Sequence, residues 1–240
     1  MPHQWTPSWV QPGDAALLVV HLPPVKLLLQ HHPERAYLLE RTAHLDPIVV
    51  EDPEPLSGCN PWRTYKACLT VGTELREPFV IMQDDCVPVP GYAPAVERAR
   101  ELLPDALICL AVQGMLHQVA RHRFWAAMEE DGCWLVEFTP VNWVSALAIA
   151  WTPELAREAL DWDDRSRLPE AFNSDDARLH RFAKATRIPT WMTAPCLVEH
   201  PDDVPSVTGG LVKEPRAKRQ AIAVYPGDAS SITWQLNTLY

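Results

Sequence analysis

The segment Pro78–Asp85 (PFVIMQDD) organises the fold that the sequence predicts. Four consecutive apolar residues, Phe79–Met82, indicate a buried strand that is covered on both faces. The polar run Gln83-Asp84-Asp85 follows directly, so the end of a rigid element would carry two carboxylates. Hard divalent cations such as Mg²⁺ and Mn²⁺ prefer carboxylate oxygens and usually share them with substrate phosphates. The simplest alternative is an ordinary turn, because aspartate is common in turns.

Short apolar runs alternate with amphipathic stretches on both sides of this segment. We expect strands and helices to alternate along this part of the chain. The expected strands are Ala15–His21, Pro47–Val50, Pro78–Met82 and Ala106–Val112. The expected helices between them are Pro33–His44, Trp62–Val71 and Tyr92–Leu103. This order predicts an α/β fold with a mainly parallel central sheet flanked by helices. Because chemistry in such folds lies beyond the carboxyl ends of the strands, Glu51-Asp52 and Asp84-Asp85 should share one rim.

The second half of the chain is less regular, but its helix starts are well marked. We expect strands over Cys133–Phe138, Ser145–Trp151 and Pro195–His200. Thr152-Pro153-Glu154 predicts a helix start, with a capping hydroxyl, a proline and an acid in the first turn. A second helix is expected over Asp175–Thr186, and its first two residues are both aspartates. Either carboxylate could act as a general base, although helix capping explains one of them comfortably.

Composition and charge exclude several classes of protein. The 240 residues are 47% hydrophobic and 22% charged, which is typical of a globular chain, and the net charge of −10 argues against a general nucleic-acid coat. The six cysteines include no CxxC pair, so no zinc knuckle is visible. Neither a leader sequence nor an apolar run of about 20 residues is apparent, so we expect a cytoplasmic protein with no membrane partner.

Taken together, these features resemble the nucleotide-sugar-dependent glycosyltransferases of the Rossmann-like GT-A fold, especially small bacterial and phage-type members. The resemblance runs from about Val19 to about Ser206 and rests on five stretches: Ile81–Cys86, Pro90–Tyr92, Ala146–Leu160, Asp175-Asp176 and Pro195–His200. The usual family motif is Asp-x-Asp or Glu-Asp-Asp, and Gln83 departs from it. The resemblance implies a single catalytic domain over residues 1–206, with a donor half (about 15–115) and an acceptor half (about 116–206). Residues 207–240 would form a C-terminal extension.

The resemblance also implies a reaction and a set of site residues. A sugar would move from a nucleotide sugar, foremost a UDP-sugar, to a hydroxyl acceptor, with inversion of configuration favoured by a single base. Asp85 and His200 would hold Mn²⁺ or Mg²⁺, which neutralises a departing diphosphate. Asp175 or Asp176 would be the catalytic base. The donor would contact five further residues: His21, Asp52, Arg63, Lys66 and Asp84. Asp84 would contact either the ribose or the metal.

Other functions and several acceptors stay open at this point. A metal-dependent nucleotidyltransferase would use the same acids, although the turn His21–Pro24 has no glycine that would let backbone amides approach a phosphate. A non-catalytic module that binds nucleotide sugars would keep the fold without the reaction. The acceptor could be a glycan, a small molecule, a protein or a hydroxymethylated base of phage DNA. For DNA, the sequence offers the basic stretches Arg121–Arg123 and Lys213–Arg219.

Overall fold

The fold is taken from a computed structural model, which describes residues 25–112, 118–138, 145–169, 172–201 and 223–238. The strands in chain order are β1 (Lys26–His31), β2 (Ile48–Glu51), β3 (Phe79–Gln83), β4 (Val87–Pro88), β5 (Leu107–Cys109), β6 (Cys133–Phe138), β7 (Ala148–Trp151), β8 (Thr190–Ala194), β9 (Val198–Glu199) and β10 (Trp234–Asn237). The α-helices are α1 (Pro61–Glu74), α2 (Tyr92–Leu102), α3 (Gln118–Met128), α4 (Pro153–Ser166) and α5 (Asp175–Thr186). Short 3₁₀ helices cover Pro33–Arg41, Ala43–Leu45, Pro55–Ser57 and Ala229–Ser231.

A mixed central sheet dominates the described part of the chain. Its strand order is β10-β6-β8-β5-β7-β3-β1-β2, and β4 pairs separately with β9. Strands β1, β2 and β3 are parallel, while β7 lies antiparallel between β3 and β5. Helices flank this sheet, so the predicted α/β class with a largely parallel, helix-covered sheet is confirmed.

The strand order reverses between β1 and β3. From β1 the chain forms β2 on one side of it and then returns to form β3 on the other side. In open α/β sheets such a reversal leaves a crevice outside the carboxyl ends of the two strands, and ligands bind there. Gln30 of β1 and Gln83 of β3 are register partners at these ends.

The sheet separates two apolar cores, and β3 contributes to both. Phe79 and Ile81 pack in the core that contains the buried faces of α1, α3, α4 and α5. Val80 and Met82 pack in the core that contains α2 and Ala229. This alternation follows from the two-residue period of a strand and explains the unbroken apolar run of the sequence. Within the described ranges, no helix combines the length and apolar character that crossing a bilayer requires.

Several elements agree closely with the sequence-based expectations. The strand Cys133–Phe138 and the helix Asp175–Thr186 are confirmed residue for residue, and α4 begins at Pro153 after the predicted Thr152 cap. The helix expected over Pro33–His44 is present as two short 3₁₀ helices.

Other elements differ from those expectations. The strand expected over Ala15–His21 lies outside the described residues, and two strands that the sequence did not predict, β1 and β8, have a neighbouring strand on both sides in the sheet. Of the strand predicted over Pro195–His200, Val198–Glu199 forms a short strand and Cys196 forms an isolated parallel bridge with Val224.

The C-terminal residues of the described chain belong to the sheet. Trp234–Asn237 pairs in parallel with β6, inside the segment expected to be an extension (207–240). The Trp234 indole nitrogen donates to the carbonyl of Ala95 at 2.8 Å, and Arg98 Nε donates to the carbonyl of Ile232 at 2.6 Å. These contacts attach the segment to α2.

Candidate functional site

Polar side chains gather at the carboxyl ends of β1 and β3. Gln30 and His31 end β1, and Gln83-Asp84-Asp85 ends β3 and continues beyond it. The backbone nitrogen of Asp84 donates to the carbonyl of Gln30 at 3.1 Å, which extends the strand pairing to the first aspartate. Asp84 and Asp85 are only 3% and 5% exposed. Two carboxylates are therefore buried at the place where the topology leaves a crevice.

Arg35 binds both carboxylates of this acidic pair. Its Nη1 atom donates to Asp84 Oδ1 and to Asp85 Oδ2, each at 2.8 Å. Burial acts to lower the pKa of Arg35, but the charge of Asp85 and the hydrogen bond to Asp84 outweigh it and raise that pKa. For Asp85 burial acts upward, and the bonds from His200 and Arg35 bring its pKa below the usual value. The buried guanidinium thus favours the ionised form of Asp85.

Two histidines complete the surroundings of the aspartates. Nδ1 of His31 lies 2.9 Å from Asp84 Oδ2, and the backbone nitrogen of His32 donates to the same oxygen at 3.0 Å. Nε2 of His200 lies 3.3 Å from Asp85 Oδ2. The structure therefore brings together Asp84, Asp85 and His200, which the sequence assigned to donor and metal binding.

Asp175 reaches the same rim from the start of α5. Gln83 Nε2 donates to Asp175 Oδ2 at 3.1 Å, although 92 positions separate the two residues. The backbone nitrogen of Asp176 donates to the other carboxylate oxygen at 2.8 Å. Burial, and then the negative charge of Asp176, raise the pKa of Asp175 to about 7, against the hydrogen bonds from Gln30 and Gln83.

Asp176 has a different environment from its neighbour. Its side chain is exposed, and its carboxylate accepts a hydrogen bond from the backbone nitrogen of Ala146, just before β7. The buried residue of the pair is Asp175, at 5% exposure. The two aspartates that the sequence could not distinguish thus have separate surroundings.

The remaining residues expected to bind the donor are engaged with other protein groups. Arg63 forms a bidentate pair with Asp52 at 2.6 and 2.8 Å. Burial acts to raise the pKa of Asp52, but the Arg63 bond outweighs it and lowers that pKa. Lys66 contacts Asp163 at 3.1 Å and Asp164 at 2.7 Å, which places it between α1 and α4. His21 lies outside the described residues.

Sequence reasoning missed three participants in this site, Arg35, Gln30 and His31. Gln30 and His31 end a strand that was not predicted, so their place at the rim was not visible. Arg35 lies in a helical segment and meets aspartates about 50 positions away. No local pattern signals such a contact, because it depends on how β1 and β3 pair.

The side chains present can be compared with the needs of the expected Mn²⁺ or Mg²⁺. Asp85 and His200 touch each other, as a shared ligand set would require. However, one carboxylate oxygen of Asp84 and one of Asp85 accept hydrogen bonds from Arg35. Within the described ranges, no group of three or more His, Cys, Asp or Glu residues is arranged to hold a metal. In this arrangement the pair fits a guanidinium rather than a divalent cation.

The arrangement as a whole offers a buried carboxylate, Asp175, with a near-neutral pKa beside an acidic pair that binds Arg35. Such a carboxylate can accept a proton from a hydroxyl group near neutral pH. Neither the models of protein families nor the curated proteins include a match for this chain. The assignment of a function therefore depends on the geometry of this rim.

Proposed function

We propose that the protein is a glycosyltransferase of the GT-A type, which moves a sugar from a nucleotide sugar to a hydroxyl acceptor. The contact between Gln83 and Asp175 carries the proposal. It joins the motif assigned to the donor and the carboxylate assigned to the acceptor, which come from distant parts of the chain. Two-substrate transfer requires these two functions to be adjacent.

The place of the contact supports the same reaction. It lies at the strand-order reversal between β1 and β3, outside their carboxyl ends. Nucleotide ligands of open α/β sheets bind in such a crevice. A GT-A arrangement would place the donor across this edge, with the acceptor on the side of α5.

Asp175 is the residue that we assign as catalytic base. In the ionised state it accepts the proton of the acceptor hydroxyl while that oxygen bonds to the anomeric carbon of the sugar. The bond from this carbon to the diphosphate oxygen breaks, and the nucleoside diphosphate leaves with the electron pair. A single base acting on the face opposite the leaving group gives inversion. Its pKa of about 7 suits a base that works near neutral pH.

Asp176 supports the role of Asp175 as base, although the Asp176 side chain itself is exposed. Its charge is the second cause of the raised pKa of Asp175, after burial. Its bond to the Ala146 nitrogen fixes the start of α5 against the residues before β7. We therefore expect Asp176 to position and tune Asp175 rather than to take the proton.

The proposal does not include a metal ion, because the Asp84–Asp85 pair already binds Arg35. The acceptor is also left open among glycans, small molecules, proteins and modified DNA. In the basic stretch 121–123, Arg121 and His122 are exposed on α3, whereas Arg123 donates to Asn237 Oδ1 at 3.0 Å. The stretch Lys213–Arg219 lies outside the described residues.

A panel of sugar nucleotides tests the proposed reaction. The wild-type chain is incubated with each donor, and release of the nucleoside diphosphate is measured with and without added acceptors. Mass spectrometry of the acceptors, hydroxymethylated DNA included, identifies the product. We expect one donor to be consumed and Asp175→Asn to lower kcat by about 10²- to 10⁴-fold.

The matched control is Asp161→Asn, an exposed aspartate on α4, which should leave the rate unchanged. Equal rates for Asp175→Asn and the wild type would contradict the assigned base. Consumption of nucleoside triphosphates with release of pyrophosphate would point to the nucleotidyltransferase instead. Tight binding of a nucleotide sugar without turnover would point to the binding module.

A further inference from the structure

The Asp84–Asp85 pair holds a guanidinium at the point where a divalent cation would lie. A single atom, Arg35 Nη1, is 2.8 Å from one oxygen of each carboxylate. We propose that Arg35 is the resident cation of this pair and excludes Mn²⁺ and Mg²⁺ from it. As a consequence, which rests on the proposed function, sugar transfer would proceed without a divalent metal.

The carboxylate oxygens have little capacity left for a metal. Asp84 Oδ2 accepts from the His32 backbone nitrogen at 3.0 Å and lies 2.9 Å from His31 Nδ1. Asp85 Oδ2 bonds to Arg35 and also lies 3.3 Å from His200 Nε2. Three of the four oxygens therefore have nitrogen partners within hydrogen-bonding range or close to it. Mg²⁺ in particular needs near-octahedral oxygen ligands at about 2.1 Å, which these occupied oxygens do not provide.

Arg35 is also difficult to displace. Arg35 is 7% exposed, and Asp84 and Asp85 are 3% and 5% exposed, so the three side chains have little contact with bulk water. An arginine remains protonated at any physiological pH, so it cannot release the carboxylates by losing a proton. Expelling it would leave a buried charge without its partners, which is strongly unfavourable.

The sequence departure at Gln83 is consistent with a guanidinium occupant. The resembled family often has a third acid at this position, whereas Gln83 is neutral and its amide donates to Asp175. Two carboxylates remain to face one guanidinium, with histidines on either side. The protein itself thus supplies one positive charge to this pair.

Titration of Mn²⁺ alone into the full chain tests the proposal without any donor. The electron paramagnetic resonance signal of free Mn²⁺ reports binding. We expect the wild type to leave this signal undiminished, as should Arg35→Lys, which keeps the positive charge. Arg35→Met should bind one Mn²⁺ at least about tenfold more tightly than the wild type. The double variant R35M/D85N should lose that binding.

The control variant is Arg157→Met, which removes an exposed arginine on α4 and should behave as the wild type. Circular dichroism establishes that each variant is folded. Mn²⁺ binding by the wild type that Asp85→Asn abolishes would overturn the proposal, and this comparison does not require Arg35→Met to fold. A folded Arg35→Met that gains no Mn²⁺ would also overturn it.

A second assay separates this inference from the proposed function. Donor turnover is measured with EDTA and with added Mn²⁺, and we expect equal rates. Loss of turnover in EDTA that Mn²⁺ restores would overturn metal-independent transfer while leaving the glycosyltransferase proposal intact. Absence of turnover under both conditions would contradict the proposed function, and the Mn²⁺ titration would still decide the occupant of the aspartate pair.

Discussion

Gln83 Nε2 lies 3.1 Å from Asp175 Oδ2, and this hydrogen bond joins the end of β3 to the start of α5. Gln83 follows Phe79 and Ile81 on the side of the sheet that α1 and α5 cover, so its amide points toward that helix layer. The bond stabilises the charged form of Asp175. The amide therefore adjusts the proton affinity of the proposed base.

Replacing Gln83 should shift the pH dependence of the reaction. In Gln83→Leu the hydrogen bond that favours the carboxylate is lost, so the pKa of Asp175 should rise further. The fall of kcat at low pH should therefore occur about one pH unit higher than in the wild type, which is the equivalent of about 1.4 kcal/mol. Gln235→Leu, at an exposed position on β10, is the control. If kcat of Gln83→Leu falls at the same pH as kcat of the wild type, the amide does not affect the pKa of Asp175.

The stability of the protein should fall as Asp175 ionises. Its pKa is raised from 3.8 to about 7 in the folded chain, so the folded state binds this proton more tightly than the unfolded state. The stabilisation is complete below about pH 4 and is lost as the pH rises through about 7. Between these values one proton contributes a decline of up to about 1.4 kcal/mol per pH unit.

Urea unfolding at a series of pH values measures this decline. The free energy of unfolding of Asp175→Asn should lack the pH-dependent decline that Asp175 causes. The stability of the variant relative to the wild type should therefore increase as the pH rises from 5 to 8. All other titrating groups are shared and largely cancel in the difference. Parallel curves for the two proteins would mean that Asp175 has an ordinary pKa.

The ion pair of Asp163 and Arg178 should be a major source of stability near the site. Both residues are buried, and Arg178 Nη1 donates to Asp163 Oδ1. The same guanidinium donates to the carbonyls of Pro169 and Phe172, which come shortly before α5. Asp163→Ala would leave Arg178 buried without its ionised partner and should lower the free energy of unfolding by about 3–5 kcal/mol.

Chemical denaturation measures this loss, with Asp161→Ala as the control. Asp161 is exposed on the same helix, and its truncation should change stability by less than about 0.5 kcal/mol. Similar values for the two variants would contradict the structural role of the pair. Because the pair fixes the approach to α5, the Asp163 variant should also lose activity when it is still folded.

Gly91 should tolerate no side chain, because two constraints meet there. Its φ of 71° is in the left-handed region, and a Cβ would overlap the Asp228 side chain and the backbone of Ser230. Gly91→Ala should therefore destabilise by about 3 kcal/mol or more, which exceeds ordinary surface substitutions. Thermal or urea unfolding gives the value.

Two other glycines separate the two constraints. Gly58 has a φ of 86° and a ψ of 162°, a backbone conformation that essentially only glycine adopts, but there is open space around it, so Gly58→Ala should cost only the backbone strain of about 1–3 kcal/mol. Gly227 has an ordinary φ, and a Cβ there would meet only Tyr225 Cε1 at 3.8 Å, so Gly227→Ala should be nearly neutral. Equal losses at Gly58 and Gly91 would show that the C-terminal segment does not pack against α2.

Local sequence signals predicted the elements whose boundaries are marked by local chemistry. Ser174 caps α5 through the nitrogen of Ala177, and Thr152 caps α4 through the nitrogen of Leu155, as the side-chain types suggest. Strand β8 was missed, because Thr190–Ala194 mixes threonines with apolar residues yet is fully buried. Its place between β5 and β6 depends on long-range pairing, which a local pattern cannot show.

For the candidate site, too, the sequence predicted the features that have a local signal and missed the contacts that depend on long-range folding. A strand followed by Asp84-Asp85 and a helix beginning with Asp175-Asp176 both carry visible local signals, and the structure brings them together. What compensates each charge was not predictable. Arg63 meets Asp52 and Arg35 meets Asp84 because of how the segments after β1 and β2 fold back on the rim. Residue type alone does not select one partner among the many arginines of the chain.

The alternation of side chains along β3 limits which insertions and deletions this strand can tolerate. Odd-numbered residues of the strand enter one core and even-numbered residues enter the other. Inserting or deleting one residue between Phe79 and Gln83 would exchange the two sets of side chains and turn the Gln83 amide away from Asp175. Two-residue changes would restore the faces but move the aspartates along the rim by about 7 Å. The spacing within this strand should therefore resist insertions and deletions more strongly than its individual side chains resist substitution.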